Sequence, residues 1–151
     1  MSRLARLLSR SRPRSDPNCS ECTERKLNDC NHEIMPVFSF KGVSCLCKCV
    51  DCYDGDSVTL IFDYKGDIVK VKTRLWGINT PEIRTKDDEE KARGFAARDY
   101  LKSQIENKII WAEFLENEKF GRALVKLYLV RGGKLINDDL VEKGHAVEYM
   151  R

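Results

Sequence analysis

The sequence predicts an α+β fold, mainly β, in which five strands close into a barrel of the OB type. Two helices pack against it, and an N-terminal extension precedes it. Three observations carry this reading. Short segments with apolar residues at every second position flank one long segment with apolar residues every four. Glycine turns at Asp54-Gly55-Asp56, Lys65-Gly66-Asp67 and Gly132-Gly133 punctuate them. The long helical stretch falls between the third and fourth strands, an order that suits an OB barrel, whose closure protects its sheet edges.

Taken in chain order, residues 1–36 form the extension. Its opening, Met1 to Ser15, carries Arg3, Arg6, Arg10, Arg12 and Arg14 with several serines and no acid, a composition that resists packing. Three readings fit it: a solvated mobile tail, an arm that grips phosphates, or an organelle-targeting peptide. Cys19, Cys22, Cys30 and His32 could supply four ligands to tetrahedral Zn²⁺, but the Cys30-Asn31-His32 pair is cramped for that geometry. Unstructured free thiols are the alternative.

Residues 37–151 form the barrel domain. Cys45, Cys47 and Cys49 alternate with Leu46, Lys48 and Val50, which makes these cysteines strand-face residues of a first strand rather than ligands. Val58 to Phe62 is the second strand. Val69, Val71, Thr73 and Leu75 alternate along the third, completing an antiparallel meander. From about Asp88 to Glu106 a helix places Ala97, Leu101 and Ile105 on one stripe. The acids Asp87, Asp88, Glu89 and Glu90 sit at its start, where they complement the helix dipole rather than form a metal cluster. Ile109 to Phe114 and Leu124 to Leu129 are the last two strands. A short helix with Ile136, Leu140 and Val141 follows, stopped by Gly144.

Composition bounds the function. The chain has 151 residues and 34% charged residues, enough for one domain with a real core plus a tail. A net charge of +3 does not by itself argue for nucleic acid. No apolar run reaches the length of a membrane span, so no membrane partner is expected. Seven cysteines, an odd number, argue against a complete disulfide framework. With no secretory leader visible, the expected location is a reducing intracellular compartment.

The chemistry concentrates in three runs. Asp54-Gly55-Asp56-Ser57 is a tight turn bearing carboxylates, Arg74 to Glu82 carries an arginine, an amide, a threonine and a glutamate, and Lys119-Phe120-Gly121-Arg122 brings a second arginine on a turn. Cutting a phosphodiester requires an activated water, charge stabilisation at the phosphoryl oxygens and usually a hard cation. Asp56, Asn79 and the Thr80 carbonyl are oxygen donors suited to Ca²⁺ or Mg²⁺. Glu82 is the general-base candidate. Arg74 and Arg122 each offer a planar fork of donors to phosphate. Each run alone is an ordinary turn or loop; their combination on one barrel carries the reading.

In these three runs, and through Leu135-Ile136-Asn137 and Leu140 to Ala146, the sequence resembles the staphylococcal nuclease (thermonuclease) family from about Ser44 to Tyr149. The resemblance implies a Ca²⁺-dependent phosphodiesterase acting on DNA and/or RNA and leaving 3′-phosphates; the oxygen donors themselves also suit Mg²⁺ or another divalent ion. It implies Asp56 and the Thr80 carbonyl as metal ligands, Glu82 as the base that activates water, Arg74 and Arg122 on the phosphate, and Lys119 near a flanking phosphate. Two departures stand out. Asn79 occupies the position of a second metal-binding aspartate, so weaker calcium binding is expected. Phe120 replaces a tyrosine, losing a hydroxyl but keeping a ring for base stacking. The rival expectation is a catalytically weak or inactive nucleic-acid-binding module of the same fold. A monomer is expected.

Overall fold

The computed structural model describes residues 20–31 and 33–150, and the chain divides into a unit ending at Val37 and one beginning at Phe38. The first unit contains a helix, α1 (Ser20–Asn28), that the sequence reading treated as irregular. Nine residues span too few turns to show a periodic stripe. The arginine-rich opening lies outside the described residues, as do Cys19, His32 and the side chain of Cys22. Of the four zinc-ligand candidates only Cys30 is described; it is exposed, and its thiol donates to the Lys26 carbonyl at 3.1 Å.

The second unit is the barrel. Its elements are β1 (Ser44–Cys52), β2 (Ser57–Tyr64), β3 (Asp67–Leu75), β4 (Ile78–Asn79), α2 (Asp88–Ile105), β5 (Ile109–Asn117), β6 (Ala123–Tyr128), α3 (Ile136–Glu142) and β7 (Val147–Glu148). Five strands close in the order β1-β2-β3-β6-β5. The β3–β6 pair is parallel and the others antiparallel, so the barrel is mixed. The five expected strands and both expected helices are present. Two further strands, β4 and β7, pair as a separate ribbon that the sequence reading did not anticipate.

Alternation explains the interior. Along β2 and β5 the inward positions carry Val58, Leu60, Phe62, Ile110, Ala112 and Phe114, all buried. Each large aliphatic or aromatic side chain buried this way contributes about 2 kcal/mol. Phe62, Phe114 and Phe40 meet with ring centroids 4.8–5.5 Å apart and fill one end of the barrel. A bulge between Cys49 and Asp51 shifts the register of β1, so Cys52 joins Cys47 and Cys49 on the inner face. The cysteines are thus core residues, as the alternation predicts.

Helix α2 starts where its acids require. The Asp87 carboxylate accepts hydrogen bonds from the backbone of Glu89 at 2.9 Å and Glu90 at 3.2 Å. Its buried stripe is Gly94, Ala97, Leu101 and Ile105. Two close approaches on this stripe set the loops above it. A Cβ on Gly94 would stand 2.7 Å from the Pro81 carbonyl oxygen, and one on Gly55 would stand 2.8 Å from both Ala97 and Thr80. Only glycine lets the Asp54–Asp56 turn and the Thr80–Ile83 segment rest this near the helix and one another.

At the other side of the barrel, the β3–β6 ladder ends at the Leu75–Val125 pair. There the fully buried Asn137, in the first turn of α3, stands in for missing backbone. Its Oδ1 accepts from the Leu127 N–H at 3.2 Å, and its Nδ2 donates to the carbonyls of Trp76 at 2.8 Å and Val125 at 3.1 Å. The segment leaving β3 is pinned a second time by β7, since Tyr149 N–H donates to the Gly77 carbonyl at 3.0 Å.

Candidate active site

The site grows from three loops on one rim of the barrel. The β1–β2 turn supplies Asp54, Asp56 and Ser57, and the end of β3 supplies Arg74. The stretch after β4 supplies Thr80 and Glu82, and the β5–β6 hairpin supplies Arg122. Together with Pro81 these residues line one cleft of about 210 Å³. Asp56, Arg74, Glu82 and Arg122, drawn from three separate runs of the sequence, therefore face one small polar space.

A continuous chain of contacts fixes three of them, Asp56, Arg74 and Arg122. Arg74 Nη2 lies 3.0 Å from Asp56 Oδ2 and donates to Asn79 Oδ1 at 2.8 Å. Asp56 Oδ2 also accepts the Thr80 N–H at 3.3 Å, and Oδ1 accepts the Ser57 hydroxyl at 3.1 Å. Ser57 Oγ in turn accepts from Arg122 Nη1 at 3.2 Å. Glu118 ties the two arginines together, pairing with Arg122 Nε and standing 4.0 Å from Arg74 Nε. The Asp54 carboxylate accepts the Asp56 N–H at 3.0 Å, which shapes the turn.

Electrostatics single out Asp56. Burial pushes its carboxyl up to about 6, and the neighbouring Asp54 charge adds to the rise, while Arg74 pulls the other way. A buried carboxylate in this state is short of positive charge. The donor chemistry therefore fits a hard divalent cation: three carboxylates, Asp54, Asp56 and Glu82, and Thr80 border one cleft, and a cation would lift the penalty that raises Asp56. Among the described residues, no three His, Cys, Asp or Glu side chains stand together as a ready-made cage.

The remaining candidates lie beside the cleft. Asn79 lines an adjoining hollow with Thr80, Glu82 and His145, and its amide oxygen is engaged by Arg74. Lys119 and Phe120 line a third hollow of about 500 Å³ with Arg74, Trp76 and Tyr149. Phe120 is 84% exposed, a ring with nothing packed over it. Glu82 is exposed on its loop, free of the burial that constrains Asp56. Sequence reasoning missed Ser57 as a link and Glu118 as a clamp. Glu118 sits four residues before Arg122, but its reach to Arg74 exists only once the barrel closes.

A closed five-stranded barrel sets two arginines and three carboxylates around one polar cleft, an arrangement in keeping with a nucleic-acid-binding module of nuclease type. The family model described as staphylococcal nuclease homologue matches residues 72–151, and the chain belongs to that family. The match takes in Arg74, Glu82 and Arg122, while Asp54 and Asp56, on the β1–β2 turn, lie outside it. Among curated proteins, none matches the chain.

Proposed function

We propose that this protein is a metal-dependent nuclease that hydrolyses phosphodiester bonds of DNA and/or RNA and leaves 3′-phosphate ends. The observation that carries this reading is the convergence of Asp56, Arg74, Glu82 and Arg122 on one polar cleft. A pure binding surface gains nothing from an exposed carboxylate beside a polyanion; a hydrolase needs one. Glu82 takes a proton from the attacking water as the phosphoryl centre is approached. Arg74 and Arg122 present their donor forks to the phosphoryl oxygens, where negative charge grows in the transition state. Substrate phosphate thereby competes with Glu118 and Asp56 for the guanidinium groups. Asp56 and the Thr80 carbonyl would hold the cation, Ca²⁺ by the pattern of the family, which when bound neutralises charge on a phosphoryl oxygen.

A second reading, a module that binds nucleic acid without cutting it, is favoured by one observation. Asn79, the amide at the second carboxylate position, already serves Arg74. Digestion of single- and double-stranded DNA and RNA in Ca²⁺, Mg²⁺ or chelator separates the two. The parent is expected to cut in a divalent ion and stop in chelator. Glu82→Gln is expected to lower kcat by about a hundredfold or more with an unchanged melting temperature, since the side chain is exposed. A parent that cuts nothing under any ion gives the case to the binding module.

A further inference from the structure

Beside the cleft, away from Phe120, lies a hollow of about 340 Å³ that the chemistry above does not use. Tyr53, Lys72, Arg84 and Asp51 line it, and it shares Ser57 and Arg122 with the cleft. We infer that this hollow is a nucleotide subsite, in which Tyr53 stacks one unpaired base of a polynucleotide strand while Lys72 and Arg84 hold the adjoining backbone. The inference rests on the reading of the cleft as a phosphate site, not on whether that phosphate is cut.

Placement is the first argument. Tyr53 directly precedes Asp54, Arg84 is the second residue after Glu82, and Lys72 is the second before Arg74. The elements that fix the cleft therefore fix the hollow too. The Tyr53 backbone is anchored, its N–H donating to the Ser57 carbonyl at 2.9 Å, yet the residue is 44% exposed. The Arg84 guanidinium carbon stands over the ring, 5.3 Å from its centre, so the cation covers one face of the platform and a base would stack on the opposite one.

Charge is the second. Alternate residues of a strand share a face, so Lys70, Lys72 and Arg74 form a row on the outside of β3 with steps of about 6.6 Å. Lys70 and Lys72 also border the next hollow along the strand, so the row leads away from the cleft. Three cations, Lys72, Arg84 and Arg122, line the Tyr53 hollow against one carboxylate, Asp51. A basic track with an aromatic ring on it is how proteins hold single strands without reading sequence. A base inside a duplex keeps its faces on its neighbours and cannot lie on Tyr53, so the subsite selects unpaired substrate.

The test measures binding, in the Glu82→Gln background and in chelator, so that the strand is not consumed. Fluorescence anisotropy would compare a labelled single strand of about ten nucleotides with a duplex of the same sequence. Tyr53→Ala is expected to weaken the single strand by about tenfold and the duplex hardly at all, while Tyr53→Phe, which keeps the ring, matches the parent. Lys72→Ala, at an exposed strand position, is expected to lower the slope of log K against log salt by about one for the single strand. Equal affinity of Tyr53→Ala and parent for the single strand, or equal loss on both forms, overturns the inference, as does an unchanged salt slope. Cleavage is not read here, so a parent that binds but never cuts sinks the hydrolytic reading alone.

Discussion

Asn137 and Asp56 are both buried polar side chains of this barrel, and they are treated in opposite ways. Asn137 is neutral and complete: its one acceptor and both donor bonds replace ladder bonds that β3 can no longer make. Asp56 is an acid held where burial and Asp54 oppose its charge, with Arg74 only a partial remedy. One side chain closes the fold. The other is kept under electrostatic tension at the rim, where a cation would relieve it. The contrast separates a buried polar group whose bonds are complete from one whose charge is left partly uncompensated.

The largest effect should come from breaking the architectural member. Asn137→Ala removes three hydrogen bonds to buried backbone and leaves a small void, which together cost about 4 kcal/mol. Urea unfolding should show the midpoint falling steeply with an unchanged m-value. A loss below about 1 kcal/mol would mean that the barrel seam closes without its plug.

Asp56 should respond the other way. Its folded carboxyl titrates near 6 against an ordinary 3.8, so in that window the folded state holds a proton that the unfolded chain has released. Unfolding free energy therefore falls as pH rises from about 4 through 6, by an amount of order 2–3 kcal/mol. Asp56→Asn should lack this slope and, in chelator at neutral pH, should melt higher than the parent. Melting curves across pH, in chelator, make the comparison. Parallel profiles for parent and variant would show that Asp56 carries no such tension.

These two residues also mark what could be read before folding. The alternation at Val58 to Phe62, the stripe at Ala97, Leu101 and Ile105, and the turn at Gly144 are local patterns, so the elements were legible. Asp56, Arg74, Glu82 and Arg122 were legible because each sits in a run whose residue types suit one reaction. Ribbon β4–β7 was not, since two residues cannot display a period, and it pairs segments some seventy residues apart. Nor was the role of Gly94, whose missing side chain matters only because Pro81 lies against it. Ser57 and Glu118 declare themselves through partners that closure brings near: Arg122 lies 65 positions from Ser57. Local periodicity writes the elements into the sequence; long-range satisfaction of charge is written only in the closed barrel.

The smallest effect, and the finest probe of the contrast, is at Asn79. Its amide is neutral like that of Asn137, yet it borders the charged cleft like Asp56, donating no charge to either Arg74 or a cation. Asn79→Asp adds one carboxylate where the cleft has Asp54 and Asp56. Cation affinity follows the charge count of the site, so calcium titration calorimetry should show binding tightened by several-fold to about tenfold. The new carboxylate could instead close on Arg74, whose Nη2 already stands 2.8 Å from the amide oxygen. Those outcomes differ in the measurement: tightening means that charge at this position reaches the cation, whereas unchanged calcium affinity with a raised melting temperature means that Arg74 has captured it. In the second case Asn79 belongs with Asn137, as a polar group that serves the fold.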